Sequence, residues 1–297
     1  MKSNIFKQPV LQNRENGSLP KTNTLIGDIE NVFEIFDCDS FHFFSKRDEN
    51  KNVYALPIVW KVLLLKNNDY TLNIEKELLY YVGEEQLIKD LKIYNSYNLK
   101  LEYIIFYDDV NWKETNQNIY AVSVSYKQNE LSFDTKLYTK QEFEKYLFEI
   151  NEESMVMKKP LIYSQTKLER YLSEECQFEK RPVNRAFFPG DIDCLIKKED
   201  KFLYLIEFKK HSIDGSIEEE SYKKYWGRDI KKYSAINAMS KKLGLNCFYN
   251  FIYSTKQDLN KIKIEIIDNN LKLIDSIVFA FKDKKDLEEI LQSIFKI

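Results

Sequence analysis

Apolar and polar positions in the C-terminal half follow two periods. Around residues 186–197 and 202–210 the pattern is that of strands. In the second of these, Tyr204, Ile206 and Phe208 alternate with Leu205, Glu207 and Lys209, as a strand with one buried face requires. Upstream, residues 164–176 carry a helical pattern. Downstream, a loop over residues 211–216 leads into a long predicted helix, 217–243, ended by Gly244. Strands are expected near 246–254, 261–267 and 271–281, with a last helix over about 283–296. Tyr222, Tyr225, Trp226, Ile230, Tyr233 and Ile236 form one broad stripe on the long helix and read as its core face. Lys223, Lys224, Arg228, Lys231 and Lys232 fall mainly off that stripe, on a solvated face that can also meet phosphates.

The N-terminal half runs in a similar order. Phe36-Asp37-Cys38-Asp39 parallels Gly190-Asp191-Ile192-Asp193, and Pro57-Ile58-Val59-Trp60-Lys61 parallels Leu205-Ile206-Glu207-Phe208-Lys209. Residues 139–148 mirror the closing helix at 283–292. This suggests an internal duplication whose first copy has Val59 where an acid would stand. The expected organisation is a polar segment over residues 1–24, an αβ domain over 25–155 and a second domain over 156–297.

Composition narrows the class. Hydrophobic residues are 43% of the 297, enough for a sizeable core, and no apolar run approaches a membrane span. An apolar leader is missing from the N-terminus, and the four cysteines are scattered singly, so reduced thiols in the cytoplasm are expected. No cysteine or histidine pair has zinc-ligand spacing. Net charge is −2, but it is unevenly spread. Residues 1–155 hold 18 Lys and Arg against 25 Asp and Glu; residues 156–297 hold 27 against 22. A basic C-terminal half fits contact with phosphates.

The candidate chemistry lies on the two neighbouring strands. Asp191 and Asp193 are two apart and share a face; Glu207 and Lys209 do the same. If the strands pair, their carboxylates converge on one divalent cation with an ammonium beside it. Hard cations such as Mg²⁺ take oxygen ligands of this kind. Other acid-x-Lys triplets occur, such as Glu49-Asn50-Lys51 and Asp90-Leu91-Lys92, but they lack the preceding acidic strand.

On these residues the chain resembles the PD-(D/E)xK nuclease superfamily over roughly residues 160–255. The resemblance assigns Glu169 to the acidic position on a first helix, Asp193 to the Asp position with Asp191 as runner-up, and Glu207 and Lys209 to Glu-x-Lys. A subset of the family has Gln-x-x-x-Tyr on the next helix; here Tyr233 matches and Asp229 departs from Gln. The resemblance implies an α/β (α+β) fold: a restriction-endonuclease-like mixed central sheet flanked by helices in the C-terminal half, beside a similar αβ N-terminal domain. It implies Mg²⁺ or Mn²⁺ held by Asp193, Glu207 and Glu169, with Lys209 catalytic beside them. Asp191, Tyr233 and Asp229 would support the site, and Lys210, Lys223, Lys224, Arg228 and Lys231 would contact nucleic acid. The implied activity is phosphodiester hydrolysis, DNA before RNA, in restriction, repair or anti-phage defence. A homodimer or a partner protein would serve cleavage of both strands. The competing reading is a non-catalytic nucleic-acid-binding or scaffold module.

Overall fold

The computed structural model describes residues 6–7, 32–65, 73–107, 118–151, 157–158, 178–179, 190–211 and 214–296. In chain order come β1 (Phe6–Lys7), a 3-10 turn (Phe33–Ile35), β2 (Asp37–Arg47), β3 (Val53–Leu65), α1 (Ile74–Val82), α2 (Glu84–Ser96), β4 (Lys100–Tyr107), β5 (Ile119–Lys127) and β6 (Glu130–Tyr138). Then follow α3 (Lys140–Asn151), β7 (Met157–Lys158), β8 (Phe178–Glu179), β9 (Gly190–Lys198) and β10 (Lys201–His211). Two 3-10 turns (Ile217–Glu219, Tyr222–Tyr225) precede α4 (Trp226–Lys242), β11 (Cys247–Ser254), β12 (Lys261–Asp268), β13 (Leu273–Ala280) and α5 (Lys284–Phe295).

This architecture corrects the expected fold. A restriction-endonuclease-like sheet flanked by helices in the C-terminal half is not what forms. Ten strands hydrogen-bond into one mixed sheet, ordered β13-β12-β11-β10-β9-β2-β3-β4-β5-β6, with β1 on β3. Sheet dominates over the helices. The physical reason lies in the strand edges. An edge strand exposes a row of unpaired N–H and C=O groups. In sequence, each half reads as closing its own sheet; in the fold, β9 finds its second partner in β2.

The chain packs as two compact units whose boundary runs through β2 and β3: Asp37–Ser40 and Val53–Ala55 go with the second unit, which also holds β9 to α5. In the first unit, β3 and β4 pair in parallel across the α1–α2 crossover, and β4, β5 and β6 are antiparallel. In the second, β10 and β11 pair in parallel across α4, and β11, β12 and β13 are antiparallel. In each unit a helix follows the antiparallel strands, α3 after β6 and α5 after β13.

Apolar burial holds each unit by itself. In the first, Trp60 on β3 meets Phe44 on β2 edge-on at 4.6 Å, and Phe143 and Leu147 of α3 cover them. In the second, Phe33, Phe36 and Phe295 gather with Cys194, Ile206 and Phe251. Leu287, Leu291 and Phe295 recur every four residues along α5 and are buried, which is why that helix docks by one stripe. Asp283 caps α5 by accepting from the Asp286 N–H at 2.9 Å.

The long helix predicted from residue 217 starts instead at Trp226. Side chains of β12 claim the backbone groups that a helical turn would use. Lys263 Nζ donates to the carbonyls of Glu218 and Glu220 at 2.7 and 2.5 Å, and Glu265 accepts from the Tyr222 N–H at 2.9 Å. Gly244 ends the helix as expected, in the left-handed region at φ +68. No helix among the described residues is long and apolar enough to cross a membrane.

Candidate functional site

The hairpin of β9 and β10 places the acids. Leu195 pairs with Leu205 and Cys194 with Ile206, in antiparallel register. One step further puts Asp193 across from Glu207 on the same face. Cys194, Ile196 and Ile206 point the other way, into the core under α5. Asp191 joins Asp193 by the two-residue period. The backbone N–H of Phe208 donates to Asp193 Oδ2 at 2.8 Å, which orients that carboxylate.

The cation in this cluster comes from α4. Lys232 Nζ lies 2.5 Å from Glu207 Oε1 and 3.4 Å from Asp191 Oδ1. Glu207 and Asp191 are buried, Asp193 and Lys232 partly exposed. Burial pushes the Glu207 carboxyl well above the ordinary carboxylate range; Asp193 adds to the rise, Lys232 opposes it, and Asp191 adds again. Burial also raises Asp193, against the pull of Lys232 and the Phe208 N–H. Burial alone would lower the Lys232 ammonium. The fields of Asp191, Glu207 and Asp193 outweigh it and hold Lys232 well above the usual lysine value. Glu207 Oε2 is buried with no hydrogen-bond partner among the described residues.

Polar residues continue across the same face. Glu207 registers with Asn250 on β11, and Asn250 with Glu265 on β12. Asn250 Nδ2 donates to Glu265 Oε2 at 2.9 Å, and both residues are fully buried. A transverse row of Asp193, Glu207, Asn250 and Glu265 thus crosses four strands.

Among the residues expected at the site, Asp191, Asp193 and Glu207 come together. Lys209 is partly buried on β10, on Glu207's face by alternation. Lys210 is partly buried on the same strand. Glu169 and its predicted helix lie outside the described residues. Arg228 and Asp229 fall in the first turns of α4, and the placement of their side chains lies outside the described features. Tyr233 is buried in the core, edge-on to Tyr222 at 5.7 Å and stacked near Phe248 at 6.2 Å. Lys223, Lys224 and Lys231 are exposed. Lys224 also reaches Glu220 at 3.4 Å.

Three residues of the cluster escape the sequence reading. Lys232 looks like one more member of a basic helix face, yet its ammonium pairs with Glu207. Its one available signal is its place beside Tyr233. Asn250 interrupts an otherwise apolar strand, a signal that does point inward, whereas Glu265 alternates with Lys261 and Lys263 and gives none.

The first unit carries a partly buried ion pair of its own. Lys61 on β3 meets Asp90 on α2 at 2.6 Å. Val59 is fully buried. Glu102, also buried, accepts from Trp60 Nε1 at 3.0 Å, Lys100 at 2.7 Å, Ser123 at 3.0 Å and the Tyr146 hydroxyl. With its acceptors thus met, Glu102 reads as a structural centre.

Among the described residues, no group of three or more His, Cys, Asp or Glu side chains is arranged to hold a metal ion. The acids of β9 and β10 are instead arranged about Lys232. Their chemistry still suits a hard cation: three carboxylates, one with an unpartnered buried oxygen.

No family model matches the chain, and no solved structure matches it. A UPF0329 protein of Encephalitozoon cuniculi is 28% identical over 89 residues. That stretch is 29% of this chain and 15% of the length of that protein.

Proposed function

We propose that the chain is a Mg²⁺- or Mn²⁺-dependent phosphodiesterase acting on nucleic acid, DNA before RNA. The observation that carries this reading is the convergence of Asp191, Asp193 and Glu207 on one cationic centre at the end of a hairpin, with Lys209 on the same strand face. Asp193 and Glu207 would hold the metal, with Asp191 beside them. When bound, the metal supplies Lewis-acid stabilisation of a phosphoryl oxygen and a water of lowered pKa. The Phe208 N–H keeps Asp193 in one orientation. Lys209 and Lys232 offset negative charge near the reacting phosphate as point cations. Exposed Lys223, Lys224 and Lys231 on and before α4 supply sequence-independent phosphate contacts. Cleavage of both strands calls for two such sites, hence a second copy or a partner protein. Restriction, repair and anti-phage defence all use this chemistry.

One observation favours a second reading, a non-catalytic nucleic-acid-binding module. Lys232 already pairs with Glu207 and Asp191, as a structural ion group would. A single panel separates the two. The wild-type chain is incubated with circular, linear and single-stranded DNA and with RNA, in Mg²⁺ or Mn²⁺, beside Glu207→Gln and Lys209→Ala. Cleavage by wild type and its loss in both variants, with binding retained, supports the enzyme. Binding without cleavage of any substrate under either metal supports the module.

A further inference from the structure

We propose that Cys38 and Cys194 form a reversible disulfide that staples the start of β2 to β9 on the face opposite the acids. Their sulfur atoms lie 2.8 Å apart, although the residues are 156 positions apart in sequence. A disulfide bond is about 2.05 Å long, so closing the link needs only a small shift of two side chains. The elements that carry them are pinned independently. Lys197 on β9 meets both Asp37 and Asp39 at 3.5 Å, one residue to either side of Cys38. Phe33 and Phe36, just before β2, are buried against Phe295. Cys38 packs against the same apolar cluster that holds Cys194.

The two thiols differ in access, and that sets the order of events. Cys38 is partly exposed and Cys194 is buried. A small disulfide can reach the Cys38 sulfur and not the buried one, so Cys38 is the sulfur that reacts first. The oxidant is a low-molecular-weight disulfide of the glutathione class. The Cys38 thiolate attacks one sulfur of it; a Cys38 mixed disulfide forms and one small thiolate leaves. Cys194 then gives up its proton, and its sulfur attacks Cys38 Sγ and expels the second small thiolate. Two protein thiols lose two electrons and two protons, and one small disulfide becomes two small thiols. Asp193 precedes Cys194 but faces the other way, so the staple leaves the carboxylate cluster uncovered.

The test uses the full-length protein, held either in dithiothreitol or in oxidised glutathione. It is then alkylated, digested without reduction and examined by mass spectrometry, with thermal melts alongside. We expect one linked peptide pair joining Cys38 to Cys194, two fewer alkylated thiols, and a higher melting midpoint that dithiothreitol reverses. Cys38→Ser and Cys194→Ser should each lose the linked pair and the shift. A Cys176→Ser variant should keep both. Continued alkylation of Cys38 and Cys194 after oxidation overturns the proposal, as does a stable glutathione adduct on Cys38 without a cross-link, or a link from either residue to Cys176 or Cys247. The wild-type peptide map decides the matter even where a variant fails to fold.

Discussion

Lys232→Met is the sharpest perturbation of the carboxylate cluster. It keeps the apolar stem of the side chain and removes the ammonium. At an effective dielectric of about 20, unit charges separated as Lys232 is from Glu207 and Asp191 attract by about 7 and about 5 kcal/mol, before desolvation. Desolvation offsets several kcal/mol per buried ion, and loss of one partner of a buried pair costs about 3–5 kcal/mol. The Lys232 side chain is 29% exposed, against 5% for Glu207. Solvent therefore screens part of the field, and we expect a loss of about 2–4 kcal/mol near pH 7.5. The pH dependence carries the diagnostic. Glu207 has a folded value raised above its unfolded 4.5, and Asp193 one raised above 3.8. Stability from such groups is full below the unfolded values and is lost as pH rises through the folded ones. Removing Lys232 lifts those folded values further, so the variant should weaken increasingly from acid toward neutral pH. Urea unfolding of both proteins at pH 4.5 and 7.5 measures this. Glu207→Gln added to Lys232→Met should recover part of the loss at pH 7.5 and little at pH 4.5. Equal destabilisation at the two pH values, or no recovery from Glu207→Gln, would show that Lys232 acts by packing and not by charge.

In the absence of substrate, Mg²⁺ or Mn²⁺ should stabilise Lys232→Met more than wild type in thermal melts, because the cation then meets no competing ammonium. The added stabilisation should disappear with Glu207→Gln; its persistence would place the cation elsewhere. Glu102→Leu strands Trp60 Nε1 in the core of the first unit and should cost about 2–4 kcal/mol in urea unfolding at pH 7. Burial pushes the Glu102 carboxyl up, but bonds from Lys100, Tyr146 and Ser123 outweigh it and hold the folded value below 4.5. Its stabilisation is therefore present above pH 4.5 and fades as pH falls, so variant and wild type should converge in acid. Asp283→Ala, which removes the α5 cap, should cost about 1 kcal/mol by the same measurement, with the far-ultraviolet spectrum unchanged.

Element identity was largely legible in the pattern of side chains. The hairpin expected at 186–197 and 202–210 appears as β9 and β10, and α5 lies within one residue of its predicted bounds. Period two and period 3.6 are local properties, set by which residues can share a face. The start of α4 was not legible, since the groups that interrupt 217–225 belong to Lys263 and Glu265, some forty residues away. Nor was the sheet. Whether β9 is an edge or an interior strand depends on β2, and no local pattern records that partner.

The same division runs through the candidate site. Alternation in the chain was enough to put Asp191, Asp193, Glu207 and Lys209 on common strand faces, because successive side chains on a strand must point to opposite sides. Folding alone chose their cation and their neighbours. Lys232 reaches Glu207 through helix docking, strand register sets Asn250 beside Glu207 and Glu265 beside Asn250, and Cys38 reaches Cys194 across 156 positions. These long-range meetings are selected by burial of Phe33, Phe36 and Phe295 and by backbone pairing across the sheet. Such energies belong to the packed chain as a whole, and no window of sequence contains them.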